Sequence, residues 1–303
     1  MRAAPAPTWT KTECAAGWRY DAGMHPAVAI PLASWRAELA LEFERRGPRT
    51  VLAARRHEGP LVVQKPLYPE GGEVCHAIVV HPPAGIAGGD ELEIAVRLQR
   101  HAHALLTTPG AAKWYRSSGL PARQRIALKV ATGAALEWLP QESIVFDGAL
   151  AELRTAIDLE GDARYFGWEI VCLGRTGSGE RFARGDCSLG AELRRDGALL
   201  WLERGRIDGG GELMASRAGL QGRPVFGTFC ASAPQLAAEH LAMCRAPRPD
   251  SGEGAVTLLP GVLLGRYLGA SAEAARRYFT QLWRLLRPAL AGREAAEPRI
   301  WRT

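Results

Sequence analysis

The chain has 303 residues, 38 Lys and Arg against 32 Asp and Glu, and a formal net charge of +6. The basic residues are scattered in pairs such as Arg45-Arg46, Arg55-Arg56, Arg194-Arg195 and Arg276-Arg277. They lack the basic stripe interleaved with aromatics that marks a nucleic-acid binder, and they leave room for an acidic protein partner. A hydrophobic fraction of 47% supplies a core. No window approaches the roughly 18 uninterrupted apolar residues of a membrane span, residues 258–268 being broken by Pro260 and Arg266.

Residues 1–30 are rich in Ala and Pro and offer little to bury, and no sustained apolar run follows Arg2. They are expected to form a flexible segment without a secretory leader, ahead of a single β-rich domain over residues 31–303. The six cysteines at 14, 75, 172, 187, 230 and 244 form no CxxC pair and sit mostly in apolar runs. Reduced, buried thiols of a cytoplasmic protein are the expectation.

The first strand is signalled by Ala37, Leu39, Leu41 and Phe43 alternating with Glu38, Glu42 and Glu44, a pattern blurred at Ala40. Alternation recurs over 92–98, 126–130 and 189–193, with Gly or Pro about every ten residues. That spacing predicts a mainly β fold of many short strands, a sandwich or β-helix-like stack rather than βαβ units. An echo between Ala104-Leu105-x-x-x-Pro109 and Ala135-Leu136-x-x-x-Pro140 hints at stacking. Two helices close the chain. One is predicted from Pro234 to Arg245 on an N1-proline start, with Leu236, Leu241 and Met243 or Cys244 on its apolar face. The other is predicted from an Ser271 N-cap to Leu286, its stripe of Ala275, Phe279, Leu282 and Leu286 widened by Trp283 and stopped by Pro288.

The stretch His81-Pro-Pro-Ala-Gly-Ile-Ala-Gly-Gly-Asp90 stands out between two apolar runs. Its prolines withhold donors, and Gly85, Gly88 and Gly89 open backbone angles closed to other residues, so it reads as a shaped crossing that presents Asp90. Metal ligands are sparse. His101 and His103 would share a strand face, Cys75 and His76 would not, and no spacing fits structural zinc. No permanently bound metal is expected. Nucleophile-elbow, HExxH, Walker A and dinucleotide-binding patterns are all missing, and the glycine runs 174–179 and 209–211 read as hairpin turns. Glu137, Glu142, Glu169 and Glu203 lie in apolar settings. Each, taken singly, would face solvent by strand alternation; together with Asp90 they point to a hydrated interior path.

Several of these motifs, in order, resemble the UreD (UreH) family of urease accessory proteins. They are the 81–90 stretch, Leu106-Thr-Thr-Pro-Gly-Ala-Ala-Lys-Trp-Tyr-Arg-Ser-Ser118, Leu136-Glu-Trp-Leu-Pro-Gln-Glu-Ser-Ile-Val-Phe-Asp-Gly148, Gly59-Pro-Leu-Val-Val-Gln-Lys-Pro-Leu-Tyr-Pro69 and Pro298-Arg-Ile-Trp301. The resemblance covers the chain from Trp35 onward. It implies a β-helix-like stack with a helical pair near the C-terminus, and a maturation factor without catalysis of its own. Such a factor would bridge apo-urease to UreF and the GTPase UreG, with UreF on the helical side. It would guide nickel(II) through its interior with no tightly bound cofactor. It places Asp90, Glu169 and Glu203 along the nickel route, and Lys113, Tyr115 and Arg116 as residues holding the glycine–proline loops in register. At Ala112 the chain departs from relatives that carry a small hydroxyl. Two other classes stay open at this point: a β-stack carbohydrate hydrolase with paired carboxylates facing one cleft ~5–10 Å apart, and a passive docking module with a dry interior.

Overall fold

From Val74 to Leu173 the backbone winds instead of folding back on itself. The computed structural model describes residues 34–302, so Cys14 and the expected flexible segment at 1–30 lie outside the described residues. A hairpin of β1 (Arg36–Arg46) and β2 (Arg49–Glu58) and the short β3 (Val62–Val63) precede the coils. The first coil is β4 (Val74–Val80), β5 (Gly85–Ile86) and β6 (Glu91–Leu98). The second is β7 (His103–Thr107), β8 (Ala112–Trp114) and β9 (Ala122–Val130). The third is β10 (Ala135–Trp138), β11 (Ser143–Val145) and β12 (Leu150–Leu159), and the fourth runs from β13 (Arg164–Leu173) to β14 (Asp186–Arg195).

Equivalent strands of successive coils pair in parallel. β4, β7, β10 and β13 build one sheet, while β1, β6, β9, β12 and β14 build the other. The little strands β5, β8 and β11 form a third, narrow ladder at one corner. The expectation of a β-helix-like stack is met. Antiparallel strands finish it: β15 (Ala198–Asp208) on β14, then the four-residue α1 (Glu212–Ala215) and β16 (Val225–Ser232) on β13. Next come α2 (Ala238–Cys244), the hairpin of β17 (Glu253–Leu259) and β18 (Val262–Gly269), and α3 (Ala272–Ala291).

Alternation along the strands divides the molecule into two cores. Inward residues such as Phe43, Cys75, Leu98, Leu106, Leu128 and Leu136 fill the space between the sheets. Outward residues of the β4–β18 sheet, including Leu105, Phe166, Trp168 and Ile170, are covered by Tyr278, Phe279, Leu282, Trp283 and Leu286 of α3. That sheet is therefore buried on both faces, the usual condition of parallel strands. The outer face of the other sheet carries ion pairs such as Arg123 with Glu91 and Glu152, and Arg125 with Glu93. Half-buried, solvent-facing pairs of this kind add modest stability.

Several local expectations need correction. Pro288 does not stop α3, which continues to Ala291 and ends on Gly292 at φ 66°. Burial of Leu286 and Leu290 carries the helix across the proline; Ser271 caps its start as expected, its Oγ accepting the Ala274 N–H at 3.2 Å. Pro234 lies in a turn, and α2 starts only at Ala238, where the His240 ring accepts the Ala237 N–H. The two glycine runs join strands of different sheets. One holds a single 3-10 turn at Thr176–Ser178, and the other leads into α1 with Gly211 as N-cap. The 104/135 echo names two stacked neighbours, β7 and β10, but the true register sets Ala135 against His103.

Candidate functional site

The three long motifs turn out to be one structural feature repeated. The 81–90, 106–118 and 136–148 stretches form the same corner in successive coils, with Ile86, Trp114 and Val145 stacked as β-partners. Backbone bonds continue the ladder: Lys113 N–H to the Ala84 carbonyl, Tyr115 N–H to Ile86, and Phe146 N–H to Trp114. The Tyr115 ring lies where a Cβ on Gly85 would be, and a Cβ on Gly88 would sit 2.8 Å from the Leu120 carbonyl. Gly89 has φ 95°, a left-handed angle that favours glycine. Arg116 reaches Asp147, the carboxylate that also holds Arg184, and Tyr115 meets Phe146 edge-on at 5.2 Å.

Asp90 closes the first corner. Its two oxygens accept the Trp35 N–H at 2.9 Å and the Ala87 N–H at 2.8 Å, which explains how a carboxylate is accommodated there at 7% exposure. His81 lies across the turn; burial pushes its pKa down, against the opposing pull of Asp90.

A cavity of about 430 Å³ runs between the two sheets. Near the corners it is lined by His81, Pro82, Thr108, Ala112, Gln141 and Ser143; most of the remaining wall is apolar, from residues such as Ile94, Ile126, Trp138 and Phe226. Ala112, where the resemblance implies a small hydroxyl, lies on this wall. At the other end the lining turns charged. Glu169 of β13 and Thr228 of β16 are β-partners, so they share the inner face, and Glu203 of β15 faces them from the opposite sheet. Burial, reinforced by the charge of Glu203 and opposed by Arg154, raises the Glu169 carboxyl to a pKa of about 7. Glu203 is held by Arg266 of β18, whose Nη1 stands 2.6 Å from each carboxylate oxygen and 2.5 Å from Thr228 Oγ1. Of the three expected interior acids, Glu169 and Glu203 thus meet in one cavity, while Asp90 belongs to a corner and not to the cavity lining.

A second polar cluster lies on the other side of the same sheet. Glu137 does not face solvent: it is fully buried under α3. It accepts Trp283 Nε1–H at 2.6 Å and Arg287 Nε–H and Nη2–H at 3.0–3.1 Å, and His103 Nε2 lies 2.6 Å from Oε1. Arg287, also fully buried, forks to Glu70 at 2.6 and 2.9 Å and donates to the Glu294 carbonyl; Glu70 in turn pairs with His76. Burial would raise the Glu137 carboxyl, but His103 and Arg287 outweigh it and bring the pKa to about 2. Residue-by-residue reading missed this network because its members come from four distant segments. The available signal was the combination of Glu137 and Arg287, each charged and set among apolar neighbours. His101, expected beside His103, instead sits exposed in a turn at φ 60°. Glu142 contributes its carbonyl to the corner ladder.

Among the described residues no group of three or more His, Cys, Asp or Glu is placed to hold a metal ion. The described cysteines 75, 172, 187, 230 and 244 are free and buried. No described helix is long and apolar enough to cross a membrane.

Fold and site define a β-solenoid protein with an internal, acid-tipped cavity and a C-terminal helix fastened to it by buried ions. The family model described as UreD urease accessory protein matches residues 36–302. Urease accessory protein UreD of Azoarcus sp. (strain BH72) is 59% identical over 271 residues, covering 89% of this chain and 94% of that one. The proteins of that name from Dechloromonas aromatica (strain RCB) and Pseudomonas aeruginosa (strain PAO1) are 53% and 54% identical, covering 89% and 93% of this chain and 95% and 98% of theirs. The chain belongs to the UreD urease accessory protein family.

Proposed function

We propose that this chain is a urease maturation factor that joins apo-urease to UreF and UreG and passes nickel(II) through its inter-sheet cavity, with no reaction of its own. The observation that supports this reading most directly is the polar end of the cavity, where Glu169, Thr228 and Glu203 converge. Carboxylate and hydroxyl oxygens hold nickel(II) more loosely than a thiolate or imidazole cluster would, as a passing ion requires. A carboxyl with a pKa of about 7 is near half-protonated at neutral pH, so a cation gains it by releasing a proton and loses it on reprotonation. Asp90 serves by holding the first corner, and the α3 side is the face offered to UreF. The protein works in the cytoplasm.

The carbohydrate-hydrolase reading asks for two carboxylates free to act on a sugar in an open cleft. Both oxygens of Glu203 are engaged by Arg266, and Glu169 lies inside the solenoid. The deciding experiment is co-expression of E169Q and E203Q variants with urease and its other accessory proteins. Urease nickel content and activity should fall severalfold while the accessory complex still co-purifies. Full nickel loading in both variants would overturn the cavity route, and failure to associate with any of the three partners would overturn the bridging role.

A further inference from the structure

The acidic end of the cavity is not open to a cation as it stands. Glu169, Thr228 and Arg266 are successive β-partners on β13, β16 and β18, and so form one row on the inner face of their sheet. Glu203 comes from β15, the edge strand of the opposite sheet, and closes against that row. Arg266 is therefore the only side chain in this row that bears a positive charge, and it stands on the carboxylate nearest the edge of the sandwich. Its Nη1 faces three acceptors, the two oxygens of Glu203 and the Thr228 hydroxyl. One nitrogen with two protons cannot serve three acceptors fully, so this contact is shared among them. The side chains are also 41% and 35% exposed, which makes the pair weak and quick to exchange.

Two carboxylates facing one cavity across a hydroxyl would, if both were free, hold a passing divalent cation longer than one free carboxylate does. A displaceable positive charge on one of them shortens that stay without abolishing entry. Building on the cation passage proposed above, we propose that Arg266 is a latch. Its guanidinium occupies Glu203, so an incoming divalent cation acquires this carboxylate only by displacing it, and the returning guanidinium drives the ion off again. Arg266 is a positioning residue in this scheme and touches the cation at no stage. A plain structural tie between the two sheet edges would use the same contacts, but it makes no claim on metal affinity.

The test is equilibrium dialysis of the full chain against nickel(II) alone. Removing one unit charge a few ångströms from a dication in a partly solvated site predicts about a tenfold tighter dissociation constant for R266M. R266K, which keeps the charge, should bind as the unaltered chain does, and R266M/E203Q should lose the gain. In the reconstituted maturation complex, R266M should retain nickel and load urease severalfold more slowly. Equal nickel affinity in R266M and the unaltered chain, with R266M folded by circular dichroism, overturns the latch. If that result came while E169Q and E203Q still starved urease of nickel, the passage would stand without its latch. If E169Q and E203Q loaded urease normally, the passage itself would fall, whatever the affinity of R266M.

Discussion

Replacing Glu137 by methionine keeps the side-chain length and removes the acceptor shared by Arg287, Trp283 and His103. Arg287, at 0% exposure, would keep Glu70 as its only carboxylate. Breaking a buried pair from one side costs about 3–5 kcal/mol, and the orphaned Trp283 indole N–H adds about 1–3 kcal/mol. Against a total of about 5–15 kcal/mol for an ordinary domain, the loss should be visible as a large drop in the urea midpoint, followed by tryptophan fluorescence. The double variant E137M/R287M should be less destabilised than the sum of the two single variants by at least about 1 kcal/mol, since neither charge is then left without the other. The acid limb offers an independent reading. Glu137 titrates near 2 in the folded chain against an ordinary 4.5, so its stabilisation is complete above about pH 4.5 and is lost as the pH falls toward 2. The shift corresponds to about 3 kcal/mol, and E137M should flatten the stability profile over that range. A loss below about 1 kcal/mol for E137M, or additivity in the double variant, would refute the claim that this network fastens α3 to the coils.

Three further outcomes follow from the geometry. Glu169 has the opposite sign: its folded pKa is raised to about 7, so its contribution is fully present below about pH 4.5 and declines as the pH rises through 7. E169Q should therefore be more stable than the unaltered chain at pH 8, by up to about 3 kcal/mol, and no gain in a pH 8 melt would contradict an uncompensated charge in the cavity. Gly88→Ala drives a methyl toward the Leu120 carbonyl and should cost about 1–3 kcal/mol; an unchanged melting temperature would show that the 117–120 turn yields freely. Ser271→Ala removes the acceptor for the Ala274 N–H and should cost about 1 kcal/mol, read by thermal melting, whereas Ser271→Asp should retain most of the stability.

Much of the fold was legible because strands advertise themselves locally. The alternation in 37–43 and 92–98, and the turn residues that interrupt it, depend only on each segment having one face inward, and these strands appear where the pattern placed them. The ordered corner motifs were equally legible, and they led to the family before their shared geometry was visible. Local rules failed where a tertiary neighbour outweighed them. Pro288 should end a helix, yet Leu290 beyond it is buried against the sheet. Glu137 should face solvent by alternation, yet that face carries α3. The one-residue offset between the 104 and 135 echo and the true β7–β10 register is of the same kind, because register follows from the packing of whole coils.

The candidate site divides along the same line. Apolar neighbours in sequence were enough to mark Glu137, Glu142, Glu169 and Glu203, and loop shape marked Asp90; the resemblance to the family then narrowed these to Asp90, Glu169 and Glu203. Whether they meet is a property of neighbours in space. Coil stacking sets Glu169 beside Thr228 and brings Glu203 across from the other sheet, whereas Asp90 spends both oxygens on backbone amides at a corner. Arg266 lies 63 positions from Glu203 along the chain, and no periodicity in a single strand can signal a contact made by closing two sheets on each other.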